Sequence, residues 1–159
     1  MAYLLSADGR NEDFVAAWRR YEDSIASARD QFPPGALALA SSDWYYDFND
    51  HRCPHDAWLE HVTIREPSAG ERGEVRRMAL SARLLGAYHD GYIELSYPHV
   101  HSYRLGIHDG ASGHGDWRYD EFRLSERGNL IHEIEWSGHH GAGTWLIEAS
   151  DVEFRWVPR

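Results

Sequence analysis

The chain has 159 residues, of which 42% are hydrophobic and 26% are charged. This is the composition of one globular domain, expected to span residues 1–159. With 26 acidic and 16 basic residues the formal net charge is -10. Nucleic acid and anionic membranes are therefore excluded as partners, because both need a basic patch, whereas a basic protein partner is electrostatically favoured.

Cellular location and source follow from four features of the sequence. No apolar run approaches the roughly 20 residues of a transmembrane helix, and the first residues lack the basic and apolar regions of a signal peptide. The only cysteine is Cys53, which excludes an intramolecular disulfide and fits a reducing cytoplasm. All basic residues are arginine, which is a compositional feature of proteins from high-GC bacteria. We therefore expect a cytoplasmic bacterial protein.

The N-terminal part of the chain has the pattern of a helix. Asn11 is a suitable N-cap, and acidic residues follow it in the first turn. The apolar positions then recur at helical spacing, at Phe14, Trp18, Tyr21 and Ile25. The pattern predicts a helix over 11–32, ended by the Pro33-Pro34-Gly35 segment, followed by an aromatic-rich connector over 36–56.

From residue 57 the hydrophobic period changes to two, which indicates strands. The predicted strands are 58–66, 74–88, 92–97, 99–107, 117–125, 130–137, 144–149 and 152–157, with loops over 108–116 and 137–143. For 74–88 a helix is the alternative, but the following Asp90-Gly91 turn favours a strand. The fold class is therefore α+β, with an N-terminal helix and a mostly antiparallel β meander or sandwich of about seven or eight strands.

Histidine is unusually frequent, with eleven in the chain. His99 and His101 alternate on a predicted strand, so that both imidazoles face one side and could hold a divalent metal. Cupin-like barrels use such a pair together with a later acidic residue, which does not follow here. His51, Cys53 and His55 form a second group of metal-ligand types, although their spacing is not that of a structural zinc site.

Aromatic residues make up 13% of the chain and are a further indication of a binding site. Strand alternation places Tyr97 and Tyr103 on the face of His99 and His101. Together with Trp117 these tyrosines are candidates for a ligand or partner surface. No catalytic motif is complete, and no catalytic or cofactor-binding residue is assigned. Glu133 and Glu135 are expected on a solvated strand face, alternating with His132, Ile134 and Trp136.

Three stretches carry a family resemblance. They are Pro54-His-Asp-Ala-Trp-Leu-Glu-His-Val-Thr-Ile64, Gly91-Tyr-Ile-Glu-Leu-Ser-Tyr-Pro-His-Val-His-Ser-Tyr-Arg-Leu105 and Trp145-Leu-Ile-Glu-Ala-Ser-Asp-Val-Glu-Phe-Arg-Trp156. Across 54–157 the chain resembles small uncharacterised bacterial β-rich proteins, some of them grouped with the immunity proteins of polymorphic toxin systems. The resemblance implies a sandwich-like β fold, a toxin-neutralising or other protein-binding role, and no catalytic residues.

These observations lead to three hypotheses for function. The first is a non-catalytic protein that binds a basic protein partner, in the manner of an immunity protein. The alternative is a metal-binding protein or metal-dependent enzyme that uses His99 and His101, with His51, His55 or His89 as further ligands. The third is small-molecule or carbohydrate binding on an aromatic sheet face at Tyr97, Tyr103 and Trp117. A homodimer is compatible with each of them.

Overall fold

A computed structural model describes residues 2–108, 112–138 and 141–159, so that parts of the two predicted loops, 109–111 and His139-His140, lie outside the described residues. The helices are α1 (Ala7–Glu12), α2 (Phe14–Ser27) and α3 (Pro34–Ala40), with a 3-10 turn over Arg29–Gln31. The strands are β1 (Trp58–Arg65), β2 (Met78–Leu85), β3 (Gly91–Leu105), β4 (Asp116–Leu124), β5 (Leu130–Gly138), β6 (Gly141–Ala149) and β7 (Glu153–Pro158). The predicted α+β fold is confirmed. Within the described ranges, none of the helices has the length and apolar character needed to cross a bilayer.

All strand pairs in the described part of the chain are antiparallel, in the order β2-β1-β4-β5-β6-β3-β7. Strand β3 also pairs with β2, so the sheet curls back on itself. The seam between β1 and β4 is short, because in the register of described residues the two strands meet only at Trp58 and Asp116. Beyond that point β4 leaves an unpaired edge.

The N-terminal segment, residues 2–27, covers this edge of β4. The Tyr21 hydroxyl accepts a hydrogen bond from the Phe122 backbone N–H at 2.9 Å. The Glu121 carboxylate accepts hydrogen bonds from the backbone N–H groups of Tyr3 and Leu4. Backbone donors at a strand edge need such partners once water is excluded. Helix α2 and the residues before α1 therefore complete the wall that the sheet leaves open.

The helical region differs from the single helix predicted over 11–32. Helix α1 ends at Glu12, and the Asp13 side chain accepts a hydrogen bond from the Ala16 backbone N–H at 2.9 Å, so Asp13 rather than Asn11 is the cap of α2. The predicted stop at Pro33-Pro34 instead starts α3, because proline is tolerated in the first turn, where its missing N–H has no intrahelical partner.

Strand β2 confirms the strand interpretation of 74–88. Leu80, Ala82 and Leu84 alternate into the core, as the period of two predicts. The two predicted strands 92–97 and 99–107 are one strand, β3. Its register against β2 pairs Leu80 with Tyr97 but Met78 with Val100, so one extra residue lies in β3. His99 has a φ of 51° at this bulge.

The core lies inside the curled sheet and under the helices. Its largest fully buried side chains include Trp117, Trp136 and Trp145. The Trp136 and Trp145 rings lie 5.0 Å apart, and the Trp117 ring lies 5.5 Å from that of Trp136. Aromatic pairs at these distances stabilise a core beyond the burial of their area.

Candidate functional site

A cleft of about 400 Å³ opens between α2, the connector and the start of β4. Eight of its lining residues are aromatic or imidazole side chains: Phe14, Trp18, Tyr45, Tyr46, Phe48, His55, Trp117 and Tyr119. Its volume lies in the range of pockets that hold small molecules or anchoring side chains. The cleft is therefore the candidate functional site.

The connector forms one wall of the cleft, and local hydrogen bonds hold its residues in place. Just after α3, the Ser42 hydroxyl donates to the Leu39 carbonyl and accepts from the Tyr45 backbone N–H. This turn sets Tyr45 and Tyr46 edge to face, with ring centroids 4.8 Å apart. Tyr46 packs against Trp18 and its hydroxyl lies 2.9 Å from that of Tyr21. Contacts between α2, which forms the other wall, and the connector therefore hold the two walls of the cleft in place.

The floor of the cleft contains a buried carboxylate, Asp120, which is 3% exposed. Its Oδ1 accepts a hydrogen bond from Trp117 Nε1 at 3.1 Å. Residues three apart in a regular strand point to opposite faces. In β4 the register shifts between Trp117 and Tyr119, which turns Trp117 and Asp120 to the same side.

A network of side chains continues from Asp120 into the sheet. Asp120 Oδ2 accepts from the Tyr45 hydroxyl at 3.0 Å and lies 2.9 Å from His132 Nε2. The other ring nitrogen, His132 Nδ1, lies 2.7 Å from the Tyr97 hydroxyl. Burial raises the pKa of Tyr45 and of Tyr97 well above the usual value, so both phenols keep their protons. All groups are paired when Tyr97 donates to Nδ1 and Nε2–H donates to Asp120.

The mouth of the cleft is acidic. Glu22, Asp43 and Asp47 line it and are exposed, and Arg118 is the one arginine among its described lining residues. No ion pair to Glu22 or Asp43 is present in the described ranges. A positively charged group near the mouth would therefore meet a net negative field.

The site also continues outward as an aromatic belt, defined as Phe14, Tyr119, His55, Phe48, Tyr88 and His51. Neighbours in this order contact one another through their rings, with centroid distances between 3.8 and 6.2 Å, except that Tyr88 reaches Phe48 by a hydrogen bond from its hydroxyl to the Phe48 carbonyl. Phe14, Phe48 and Tyr88 are 40%, 44% and 48% exposed. Exposed contiguous aromatic surface is typical of binding sites.

Two of the predicted metal ligands lie together, but away from this site. His99 and His101 are exposed on β3, with ring centroids 4.7 Å apart. His51 hydrogen-bonds Asp90 and stacks on Tyr88, whereas His55 Nδ1 lies 2.6 Å from the Arg118 carbonyl and its ring stacks on Phe48. In the part of the chain that the structure describes, no three His, Cys, Asp or Glu side chains converge for a metal. The metal site remains a prediction.

The predicted partner surface of Tyr97, Tyr103 and Trp117 is corrected in part. Tyr97 and Trp117 are each 1% exposed and belong to the core, while Tyr103 is 42% exposed on β3. The bulge near His99 interrupts the alternation, so Tyr97 faces inward whereas His99, His101 and Tyr103 are exposed. Trp117 does contribute to the cleft, but from its floor.

Cys53 lines the cleft and is 3% exposed. Burial raises the pKa of its thiol to about 12, so it carries no thiolate near neutral pH. Cys53 is therefore a small buried residue of the cleft lining.

Sequence reasoning missed Tyr45 and Asp120 as site residues. Neither stands in a motif, and the strand bulge that turns Asp120 inward leaves no mark on the period-two pattern. His132 did carry a signal, since it alternates in phase with the apolar Ile134 and Trp136.

Comparison with known proteins gives no further assignment. No family model, no curated protein and no solved structure matches the chain. The resemblance to immunity proteins therefore stays a prediction, and the geometry of the cleft and the aromatic belt is the basis for a functional proposal.

Proposed function

We propose that this protein acts in the bacterial cytoplasm by binding a basic protein partner, without catalysing a reaction. The observation that carries the proposal is the cleft itself, which has aromatic walls and an acidic mouth and continues into the exposed aromatic belt. Aromatic side chains are enriched at the centres of protein interfaces, where anchor residues fill pockets.

Exposure of the aromatic belt supports a protein partner. Phe14, Phe48 and Tyr88 each expose two fifths or more of their surface, and Trp58 nearby in the chain is 50% exposed. Each square ångström of apolar surface covered contributes about 25 cal/mol before the costs of association. Covering this belt therefore supplies a driving force that a purely charged patch lacks.

Charge supports a basic partner. The net charge of -10 and the exposed carboxylates of Glu22, Asp43 and Asp47 create an attractive field for a cationic surface. Such complementarity raises association rates and selects partners more than it raises affinity. A positively charged toxin, as the resemblance implies, would meet this requirement.

A non-catalytic role is supported by the state of the reactive groups beside the cleft. Tyr97 and His132 are fully enclosed, and each already has a hydrogen-bond partner. The Cys53 thiol has a pKa of about 12, too high for a nucleophile at neutral pH.

The proposal is tested by fluorescence anisotropy with a labelled peptide of alternating arginine and glycine, and with a peptide that has glutamate in place of arginine. We expect binding of the arginine peptide that weakens with salt, and none of the glutamate peptide. The triple variant Glu22→Gln, Asp43→Asn, Asp47→Asn should weaken binding about three- to tenfold.

A matched control removes the same number of carboxylates elsewhere. Glu66, Glu126 and Glu153 are exposed and do not line the cleft, so their replacement by glutamine should change affinity much less. Equal losses in the two triple variants would show only general attraction to an acidic protein and would overturn the proposal, as would equal binding of the two peptides.

Small-molecule binding is the second candidate, favoured by the volume of about 400 Å³. The two candidates are separated by the variant Tyr88→Ala, which alters the aromatic belt but not the described lining of the cleft. Weaker binding of a long arginine peptide in this variant supports the extended surface. Unchanged binding places recognition in the cleft alone.

A further inference from the structure

The buried carboxylate of Asp120 lacks an arginine partner in the described ranges. Its hydrogen bonds come from the Tyr45 hydroxyl, from Trp117 Nε1 and from His132 Nε2. A carboxylate has about four acceptor positions. Three of these are used, and two of the three lie on Oδ2, so the remaining position is on Oδ1.

In one arrangement of the network around Asp120, Tyr97 donates to His132 Nδ1 and His132 Nε2–H donates to Asp120. Every polar atom of the three side chains is then engaged, and among the described residues no arginine contacts Asp120. An isolated buried charge is costly, and a cation brought next to it recovers part of that cost. A cation that reached the floor of the cleft would therefore be stabilised by the Asp120 carboxylate.

The walls of the cleft suit a planar cation. Trp18, Tyr46 and Phe48 are among the aromatic side chains that line it. Guanidinium groups stack on such rings and are more weakly hydrated than ammonium groups, so they enter a partly buried site at lower cost. The molecule uses the same contact at the border of the cleft, where the Arg10 guanidinium lies 4.1 Å from the Tyr119 ring centroid.

We infer that the cleft is an anchor site for one arginine side chain of the partner, whose guanidinium donates to Asp120 Oδ1 between the aromatic walls. This inference rests on the proposed function, since it names the residue that the basic partner inserts. The acidic mouth at Glu22 and Asp43 attracts the partner, whereas Asp120 recognises the inserted group. The two roles belong to different residues and can be tested separately.

The first test compares three short capped peptides that differ only in a central arginine, lysine or citrulline. Citrulline has the shape of arginine without its charge. By isothermal titration calorimetry we expect the arginine peptide to bind at least about tenfold more tightly than the citrulline peptide, and more tightly than the lysine peptide. Equal affinity for arginine and citrulline would overturn the inference. Preference for lysine over arginine would also overturn it.

The second test uses the variant Asp120→Asn. It should lose the preference for arginine over citrulline, because the amide presents no charge to the guanidinium. The mouth variant Glu22→Gln, Asp43→Asn, Asp47→Asn should retain that preference while binding both peptides with a weaker dependence on salt. Preference retained in a folded Asp120→Asn protein would contradict the anchor role.

A measurement on the unaltered protein keeps the inference testable if Asp120→Asn does not fold. The Trp117 indole N–H donates to the same carboxylate oxygen, so its resonance should shift when the arginine peptide binds. The indole resonance of Trp156, which lies on β7 and does not line the cleft, is the reference. No shift at Trp117 under saturating arginine peptide would contradict the inference.

The outcomes for the two proposals differ. If long basic peptides bind through the mouth carboxylates but the single-residue peptides show no preference, the partner is basic and the anchor is wrong. If no basic peptide binds at all, the proposed function itself is wrong. Binding of the arginine peptide with loss in Asp120→Asn supports both.

Discussion

His132 Nε2 lies 2.9 Å from Asp120 Oδ2 in the interior of the sheet, and both side chains are almost fully buried. The imidazole also contacts the Tyr97 hydroxyl at 2.7 Å. Tyr97 is on β3, Asp120 on β4 and His132 on β5, and β6 lies between β5 and β3 in the sheet. The network therefore ties together strands on opposite sides of the curled sheet and fixes the floor of the cleft.

Replacement of His132 should destabilise the fold strongly. In His132→Leu the Tyr97 hydroxyl and one acceptor position of Asp120 lose their partner, and both side chains are almost fully buried. Buried groups left unpaired cost about 1–3 kcal/mol each, so the free energy of unfolding should fall by about 2–4 kcal/mol. Urea denaturation followed by circular dichroism measures the change.

The matched control is His101→Leu, because His101 is exposed on β3. This substitution should change the free energy of unfolding by less than about 0.5 kcal/mol. Similar values for the two variants would show that the network contributes nothing to stability beyond an ordinary surface contact.

Much of the sheet follows from side-chain alternation. On β5 the predicted phase is correct, because His132, Ile134 and Trp136 are buried and Glu133 and Glu135 are not. The partner of His132 could not be predicted. Asp120 faces the core only through the bulge in β4, and a bulge depends on how two strands pair rather than on one strand's sequence.

A bulge that one strand's sequence does not reveal also explains why the predicted orientation of Tyr97 was wrong. A regular strand would place Tyr97 with His99 and His101, as the sequence predicts. The extra residue in β3 instead turns Tyr97 into the core and leaves the two histidines exposed. The cleft could not be predicted from the sequence either, because the connector and β4 come together only in the folded chain.

Gly91 is a further sensitive position, at the start of β3. A Cβ added there would lie 2.1 Å from Trp156 Cζ2, so Gly91→Ala forces a rigid ring to move. Overpacking of this kind costs about 1–3 kcal/mol. At Gly73 no atom lies within 4 Å of an added Cβ, so Gly73→Ala should leave stability nearly unchanged or slightly higher.

Thermal unfolding measures both glycine variants, and a second substitution identifies the cause. If the clash with Trp156 is responsible, Gly91→Ala should cost less in a Trp156→Leu background than in the unaltered protein. Additive effects of the two substitutions would show that Gly91 is needed for another reason.

Chelation tests the predicted metal site at His99 and His101. Two exposed imidazoles without a third ligand bind a divalent metal weakly, and only a tightly bound ion stabilises a fold measurably. With no third ligand among the described residues, EDTA should leave the melting temperature unchanged. A drop of several degrees that zinc reverses, and that His99→Ala abolishes, would establish the metal site instead.

Glu121 gives the fold a dependence on pH. Its carboxyl group is fully buried and its pKa is raised, mainly by burial. A raised folded-state pKa means that its contribution to stability is greatest below the unfolded pKa and is lost as pH rises through the folded one. Relative to Glu121→Gln, which does not titrate, the unaltered protein should therefore lose stability as the pH rises above the ordinary pKa range of a glutamate carboxyl group.

Urea denaturation at a series of pH values measures this difference, with Glu126→Gln as the reference for removing an exposed carboxylate from the turn after β4. The hydrogen bonds from the backbone of Tyr3 and Leu4 act in the opposite direction, because they favour the carboxylate. If the unaltered protein instead gained stability relative to Glu121→Gln as the pH rises, these hydrogen bonds would outweigh the effect of burial. In that case the ionised Glu121 would hold the N-terminal segment against β4, and acid rather than neutral pH would release it.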